Sequence, residues 1–224
     1  MSQPERKGRF IVIEGVDGCG STTQTRRVVE RLRAAGHDAR ATCEPSDGPI
    51  GALIRAALEK RLTASNGEPK KLDWATLALL FAADRLDHVN SFILPALAAG
   101  AVVVSDRYTL SSIVYQSVTA PEISDAVAWI ASLNRVALLP ELTVVLNVPV
   151  ELAAERRRAR GGPEELFDAL SLQARLAEAY ARAEQLSPRE RIEHLSGVGE
   201  IEAVTLRLLQ TISNAVPELA TPQI

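Results

Sequence analysis

Short apolar runs alternate along the chain with longer segments in which apolar residues recur at helical spacing. Residues 10–13 (FIVI) form a β-branched run without polar alternation, which is typical of a strand buried on both faces of a parallel sheet. Further strands are predicted over residues 39–42, 101–105, 142–147 and 192–195. Helices are predicted over residues 22–35, 50–62, 74–99, 123–134, 151–160 and 168–185. This alternation predicts an α/β fold, a doubly wound parallel five-stranded sheet flanked by helices.

The polar breaks in this pattern are too short to separate domains. Residues 63–71 and 161–163 are polar or rich in Gly and Pro, and such short segments are typical of surface loops. We therefore predict one domain over residues 1–224. The tail, residues 217–224, contains Pro217 and Pro222 and is expected to be flexible.

Composition excludes several classes of protein. The 224 residues are 46% hydrophobic and 24% charged, so a disordered chain and a small disulfide scaffold are excluded. The net charge of −3 gives no basic surface for nucleic acid, so an anionic ligand must meet a local cationic cluster. Two cysteines form no disulfide or zinc framework, and no apolar run nears the roughly 20 residues of a membrane span. We expect a cytoplasmic protein that binds neither membrane nor nucleic acid.

A phosphate-binding loop is predicted directly after the first strand. Residues 15–22 (GVDGCGST) match G-x-x-x-x-G-K-[ST] at every fixed position except the lysine, which is Ser21 here. In such loops the backbone N–H groups and the following helix N-terminus bind phosphate, and the hydroxyl at the Thr22 position binds Mg²⁺. The alternative is a glycine-rich turn without a ligand. The strand before the loop and the helix after it favour the phosphate loop.

The missing lysine leaves the transferring phosphoryl group without its usual cation. Nucleotide could then bind without being consumed, unless another cation supplies the charge. The only lysines are Lys7, Lys60, Lys70 and Lys71, against 21 arginines. An arginine is therefore the expected replacement.

Together with the loop, three segments resemble the thymidylate kinase family over nearly the whole chain. They are residues 10–18 (FIVIEGVDG), 81–88 (FAADRLDH) and 106–116 (DRYTLSSIVYQ). The resemblance implies a P-loop kinase fold and the reaction of MgATP with dTMP to give ADP and dTDP. It also implies ATP and Mg²⁺ as cofactors and a homodimer.

The resemblance also implies roles for individual residues. Phe81 would stack on thymine, Arg85 would donate to a base carbonyl, Arg107 would hold the monophosphate and Tyr115 would exclude a 2′-hydroxyl. The residues implied for dTMP are Asp17, Phe81, Arg85, Arg107, Ser112, Tyr115 and Gln116. Those implied for ATP are Gly15, Val16, Asp17, Gly18, Cys19, Gly20, Ser21, Thr22, Thr23 and Arg156. The metal ligands would be Thr22 and Asp106, and the catalytic residues Asp17, Arg107, Arg158 and Arg160.

The last two arginines belong to a helical lid implied over about residues 155–167. Four arginines fall within residues 156–160, and like charges this close repel unless an anion gathers them. Arg158 and Arg160, nearest to the Gly161–Gly162 break, are the expected substitutes for the loop lysine.

Structural alternatives remain open for each group. Phe81 and Tyr115 are alternatively core residues, Arg85 a partner of Asp84 or Asp87, Arg107 a partner of Asp106, and the lid arginines an ordinary basic helix end. The chain also departs from the family at Cys43, at Ser46 and over residues 164–168. A nucleotide-binding pseudoenzyme and a kinase for another nucleotide are therefore the alternative functions.

Overall fold

Five parallel strands form the single sheet of the part of the chain that the computed structural model describes, residues 7–121, 125–161, 166–167 and 169–220. The strands lie in the order β2-β3-β1-β4-β5. Their bounds are Arg9–Glu14 (β1), Ala39–Cys43 (β2), Val102–Asp106 (β3), Leu142–Asn147 (β4) and Ile192–Ser196 (β5). The predicted fold class and all five predicted strands are confirmed.

Helices cover both faces of this sheet. They are Ser21–Ala34 (α1), Pro49–Leu58 (α2), Trp74–His88 (α3), Leu94–Ala98 (α4), Thr109–Thr119 (α5), Ala126–Leu133 (α6), Val150–Arg160 (α7), Leu170–Tyr180 (α8), Ala183–Leu186 (α9) and Ile201–Ala215 (α10). Two buried apolar clusters result. One contains Ile11, Val28, Leu142 and Leu208, and the other contains Phe10, Val12 and Leu97. None of the described helices is long and apolar enough to cross a membrane.

The predicted helix over residues 74–99 is interrupted. Asp73 caps its start, since the Asp73 carboxylate accepts from the backbone N–H groups of Ala75 and Thr76 at 2.9 and 3.0 Å. After α3, however, Val89–Ile93 form a π-helical turn before α4 begins. Pro95 explains the interruption, because proline has no N–H to donate to the fourth residue before it.

Other helix predictions need correction. The predicted helix over residues 168–185 is two helices, α8 and α9, and α6 begins at Ala126, with residues 123–124 of the predicted helix over 123–134 outside the described residues. Helices α5 and α10 were not predicted. The sequence of α5 (TLSSIVYQSVT) is rich in β-branched residues, which disfavour helix locally. Tertiary packing overrides that preference, because Leu110 and Val114 are fully buried.

The chain end is packed rather than loose as far as the structure describes it. Pro217–Leu219 form a 3₁₀ turn, and Leu219 is buried in the larger apolar cluster. The rest of the predicted flexible tail, residues 221–224, lies outside the described residues, as do residues 162–165 of the predicted lid.

The carboxyl ends of the strands gather the polar residues of the predicted site. Strand β1 pairs with β3 on one side and with β4 on the other, and Ile13 lies opposite Asp106 in the β1–β3 register. In open parallel sheets, ligands bind at this end, where chain connections leave in opposite directions.

Candidate active site

The phosphate loop lies between β1 and α1, as predicted. Gly20 ends the loop with φ of 99°, a left-handed conformation that side chains with a Cβ rarely adopt. Gly18 also has positive φ, and a Cβ there would lie 2.3 Å from the carbonyl oxygen of Ala153 in α7. Glycine is therefore required at Gly18 for α7 to pack directly on the loop.

An open cavity of about 530 Å³ surrounds this loop. Its wall includes loop residues, Arg107, three arginines of α7 and the segment after β5. The residues are Asp17, Gly18, Cys19, Gly20, Ser21, Thr22, Thr23, Gln24, Arg107, Arg156, Arg157, Arg160, Gly197, Gly199, Ile201 and Val204. Most of the predicted ATP-binding residues thus meet in one cavity, whereas Gly15 and Val16 lie outside this wall.

Thr22, which lines this cavity, and Asp106, which contacts Thr22, fit a magnesium ion. The Thr22 hydroxyl donates to Asp106 Oδ2 at 2.5 Å, while Asp106 Oδ1 is buried with no hydrogen-bond partner in the part of the chain that the structure describes. A hydroxyl, a carboxylate and phosphate oxygens are the ligands that Mg²⁺ takes in kinases, with water completing its shell. No group of three or more acidic, His or Cys side chains forms a metal site within the described residues.

The arginines of α7 differ in their distance from the loop. Arg156 Nη1 donates to the carbonyl oxygens of Cys19 and Gly197, each at 3.2 Å. Arg157 donates to the Asp17 carbonyl oxygen at 2.5 Å, and Arg160 lines the cavity. Arg158 is exposed and lies outside the wall of the cavity. Of the two predicted lid catalysts, the structure brings only Arg160 to the phosphate loop, and it adds Arg157, which the resemblance had not singled out.

Cys19 is a packing residue of the loop. Its side chain is buried, and burial raises the pKa of the thiol to about 11. A thiol with so high a pKa stays protonated at neutral pH and is unreactive.

A second, smaller cavity of about 140 Å³ adjoins the first. Every predicted dTMP-binding residue lines it, together with six more residues. The wall consists of Asp17, Glu44, Pro45, Leu58, Phe81, Arg85, Arg107, Tyr108, Ser111, Ser112, Tyr115, Gln116 and Phe167. Asp17 and Arg107 line both cavities.

Arg85 is buried, and hydrogen-bond acceptors surround its guanidinium group. Its Nη2 lies 2.7 Å from Glu44 Oε2 and 2.9 Å from both the Tyr108 carbonyl oxygen and the Ser112 hydroxyl, and Nη1 donates to Asn134. Arg85 therefore pairs with Glu44, so the alternative pairing with Asp84 or Asp87 is wrong. Among the described residues its buried Nε has no hydrogen-bond partner, so this donor is available to a ligand.

Glu44 also contacts a buried histidine. Glu44 Oε1 lies 3.3 Å from His88 Nδ1, and His88 Nε2 lies 2.6 Å from the Thr42 hydroxyl. The sequence offered His88 only as the end of the 81–88 motif. Its structural part is to hold the carboxylate that neutralises Arg85.

Arg107 follows β3 in an unusual backbone conformation. Its φ is 70° although it is not glycine, and such strain is found mainly at functional positions. The Arg107 guanidinium donates to Asp17 Oδ1 at 2.7 Å and to the Ser111 hydroxyl at 3.2 Å, and it lies 5.1 Å from the centre of the Tyr115 ring. Arg107 thus pairs with Asp17, and the alternative pairing with Asp106 is wrong.

Sequence reasoning missed the buried carboxylate of Glu14. Its oxygens accept from the backbone N–H groups of Tyr108 and Ser111 at 2.8 and 3.1 Å and from the hydroxyls of Ser111 and Tyr180 at 2.6 and 2.9 Å. Burial raises the pKa of Glu14 to about 7, although the nearby Arg107 charge and these hydrogen bonds lower it. The sequence signal for this role was the presence of a charged residue at the end of an apolar strand.

Phe81 and Tyr115 form apolar parts of the second cavity. Phe81 is half-buried, so its ring is open to a ligand. Tyr115 is almost fully buried and packs edge-on against Phe167, with 5.3 Å between ring centres. The Tyr115 hydroxyl is buried close to the Asp17 carboxylate, and Gln116 Oε1 is buried without a hydrogen-bond partner among the described residues. Polar atoms left unpaired beside a cavity are available to a polar ligand.

Known proteins match the chain over most of its length. The thymidylate kinase family model matches residues 13–205. A probable thymidylate kinase of Thermococcus kodakarensis is 35% identical over 93% of this chain and 99% of its own length. The thymidylate kinase of Geobacter sulfurreducens is 37% identical over 94% and 99%, and that of Dinoroseobacter shibae is 40% identical over 77% and 78%. With its two adjoining cavities built from the matched segments, the chain belongs to the thymidylate kinase family.

Proposed function

We propose that the protein transfers the γ-phosphoryl group of MgATP to dTMP, giving ADP and dTDP. The observation that carries this proposal is that Asp17 and Arg107 line both cavities. A donor in the larger cavity and an acceptor in the smaller one would meet at these two side chains. Phosphoryl transfer depends mainly on such positioning and on charge stabilisation.

The larger cavity would hold ATP. The loop N–H groups and the N-terminus of α1 would bind the phosphates, and Thr22 and Asp106 would hold Mg²⁺. When bound, Mg²⁺ neutralises charge on the β- and γ-phosphates. Since Ser21 brings no positive charge, Arg157 or Arg160, which line this cavity, would act on the transferring group.

The smaller cavity would hold dTMP. Arg107 would bind the monophosphate, because a guanidinium matches phosphate with paired donors. Phe81 would stack on thymine, and the unpartnered Nε of Arg85 supplies a donor for a base carbonyl. Tyr115 would occupy the space of a 2′-hydroxyl, with Ser112 and Gln116 beside the base or sugar.

A homodimer is the second part of the proposal. Leu53 on α2 and Leu79 on α3 are 42% and 52% exposed, and these two helices pack against each other. Paired apolar side chains on adjoining helices favour a contact between two copies of the chain. Light scattering after size exclusion should give twice the 24.1 kDa chain mass, and Leu79→Glu should give the monomer. We also propose the cytoplasm as the compartment, on the basis of the two free cysteines.

An ADP-release assay with MgATP and dTMP tests the proposed activity. We expect dTMP-dependent ADP formation, and Arg107→Ala should reduce kcat/KM for dTMP by about 10²-fold or more. Turnover at the level of the buffer blank, with dTMP binding retained in calorimetry, would instead indicate a pseudoenzyme. Faster turnover with another nucleoside monophosphate would indicate the related kinase.

A further inference from the structure

A buried glutamine from α8 reaches across to the phosphate loop. Gln173 is fully buried, and its Nε2 donates to Asp17 Oδ2 at 2.7 Å and to the Phe167 carbonyl oxygen at 2.9 Å. Its Oε1 accepts from the backbone N–H of Asp17 at 3.2 Å. Both amide hydrogens and the amide oxygen are thus used, and this fixes the orientation of the group.

Asp17 is consequently held from two sides. Gln173 holds the backbone N–H and Oδ2, while Arg107 holds Oδ1. The carboxylate cannot turn without breaking a hydrogen bond to one of these two residues. Rotation of this carboxylate would also break the 2.7 Å hydrogen bond from Arg107 and so remove the charged partner of the guanidinium.

The same glutamine is bonded to the outer wall of the acceptor cavity. Phe167, whose carbonyl oxygen accepts from Gln173, lines the smaller cavity and packs against the Tyr115 ring. Helix α8 also contributes Tyr180, whose hydroxyl donates to Glu14. Through Gln173 and Tyr180, one face of α8 therefore supports the phosphate loop, the start of α5 and Phe167 in the wall of the smaller cavity.

We infer that Gln173 is a positioning residue for phosphoryl transfer: it sets the orientation of Asp17 and, through Asp17, of Arg107. This inference rests on the proposed function. Gln173 lines neither cavity, so it acts on the acceptor only through its partners. Nothing in the sequence motif of the loop specifies this residue, which lies 156 positions away from Asp17.

A double-mutant cycle tests the inference. Gln173→Leu keeps a similar volume and removes both amide functions, and we expect kcat/KM for dTMP to fall by roughly 10- to 100-fold, the usual effect of losing a residue that orients a direct ligand. In an Asp17→Ala background, Gln173→Leu should change kcat/KM by less than about threefold, because its target is gone. KM for ATP should change less than KM for dTMP in the single variant.

A matched control separates positioning from a loss of packing. Thr143 is fully buried in β4 and donates one hydrogen bond of 2.8 Å to Glu190, away from both cavities. Thr143→Val should lower the stability and leave kcat and both KM values within about twofold, as expected for a buried hydrogen bond outside the site. If Gln173→Leu does not fold, Gln173→Met, which keeps the unbranched shape and adds no charge, provides the same cycle.

The outcomes are distinct. Equal losses from Gln173→Leu in the wild-type and Asp17→Ala backgrounds, or no loss in the wild type, would overturn the inference. A wild-type protein without dTMP kinase activity would overturn the proposed function, and the cycle would then be read from calorimetric dTMP affinities of the same four proteins. A wild-type protein that does not bind dTMP would overturn both.

Discussion

The Glu14 carboxylate supports the site without lining either cavity. It accepts four hydrogen bonds at the point where β1 meets the start of α5. Two come from backbone N–H groups, which cannot accept in return, and two come from hydroxyls, which can. Glutamine would therefore satisfy all four, with its oxygen facing the N–H groups and its amide nitrogen facing the hydroxyls.

Glu14→Gln should consequently change the pH dependence of stability. Burial raises the pKa of folded Glu14 from 4.5 to about 7, so between these values the folded state binds the extra proton. Stability should fall as pH rises through this interval, by about 3 kcal/mol for this group. Glu14→Gln should remove that part of the slope. Urea unfolding of both proteins between pH 5 and pH 8 measures it, and parallel curves would contradict the prediction.

Arg85 and Glu44 form a buried ion pair whose two halves should not behave independently. Arg85→Met leaves Glu44 without its guanidinium partner and should cost about 3–5 kcal/mol of stability. Adding Glu44→Gln should recover a large part of this loss, because the uncompensated charge is removed. Arg85→Met and the double variant, which both lack the guanidinium, should lose the preference for thymine. Urea unfolding of the two single variants and the double variant measures the recovery, and additive losses would argue against the pairing.

At the scale of elements, α7 presents its arginines unequally. Arg160 lines the larger cavity, whereas Arg158 does not. We expect Arg160→Ala to lower kcat by roughly 10³-fold with dTMP affinity nearly unchanged, since the loss of an arginine finger is felt in the transition state. Arg158→Ala should have a smaller effect. Ser21→Lys should partly restore Arg160→Ala and add little to the wild type.

Single-turnover rates and dTMP titrations of these variants measure the effect. Arg182→Ala controls for the loss of surface charge, because Arg182 is exposed, lines neither cavity and donates to the nearby Glu178 carbonyl oxygen. Less than a tenfold loss in every single α7 variant would mean that no one arginine replaces the loop lysine.

Elements with a strong local signal were predictable from the sequence, and those defined by tertiary contacts were not. The strand runs and the glycine loop carry their own pattern, so β1 and the start of α1 agree within one or two residues. The apolar repeat of α10 was equally readable, with Val204, Leu208 and Ile212 on its buried face, and its omission was an error of interpretation.

The site was predictable only where a motif specifies it. Every residue that the resemblance implied for dTMP lines the smaller cavity. Gln173 and Glu44 carry no chemical pattern of their own, since an isolated glutamine or glutamate is normally a surface residue. They are recognised by what they touch, and those contacts join segments far apart in the chain. For the same reason, Arg157 was not distinguishable from Arg158 by sequence alone.

At the scale of the whole molecule, the smaller cavity predicts which nucleoside monophosphates the protein prefers as phosphoryl acceptors. The smaller cavity is about 140 Å³ and bounded by Phe81 and Tyr115, so the thymine methyl should contribute about 1–3 kcal/mol and dUMP should react about 10- to 200-fold more slowly than dTMP. UMP and dCMP should be slower than dUMP. Competition assays with all four nucleotides provide the measurement, and equal rates for UMP and dTMP would exclude the role of Tyr115.

The π-helical turn between α3 and α4 lets buried side chains recur every four residues without leaving the core. Arg85, Val89, Ile93 and Leu97 are all buried. In a regular α-helix, side chains four residues apart differ in direction by about 40° around the helix axis, so such a series would turn away from the core. The π-helical turn, in which the Leu94 N–H donates to the Val89 carbonyl oxygen, contains one more residue and so compensates for most of this angular difference. Deleting one exposed residue of this turn, such as Asn90, would leave the buried faces of α3 and α4 aligned. Restoring α-helical hydrogen bonds without a deletion, as through Pro95→Ala, would rotate Leu97 by about 100° relative to Arg85. The one additional residue in the π-helical turn thus sets the angle between Arg85, which lines the smaller cavity, and the apolar cluster that contains Leu97.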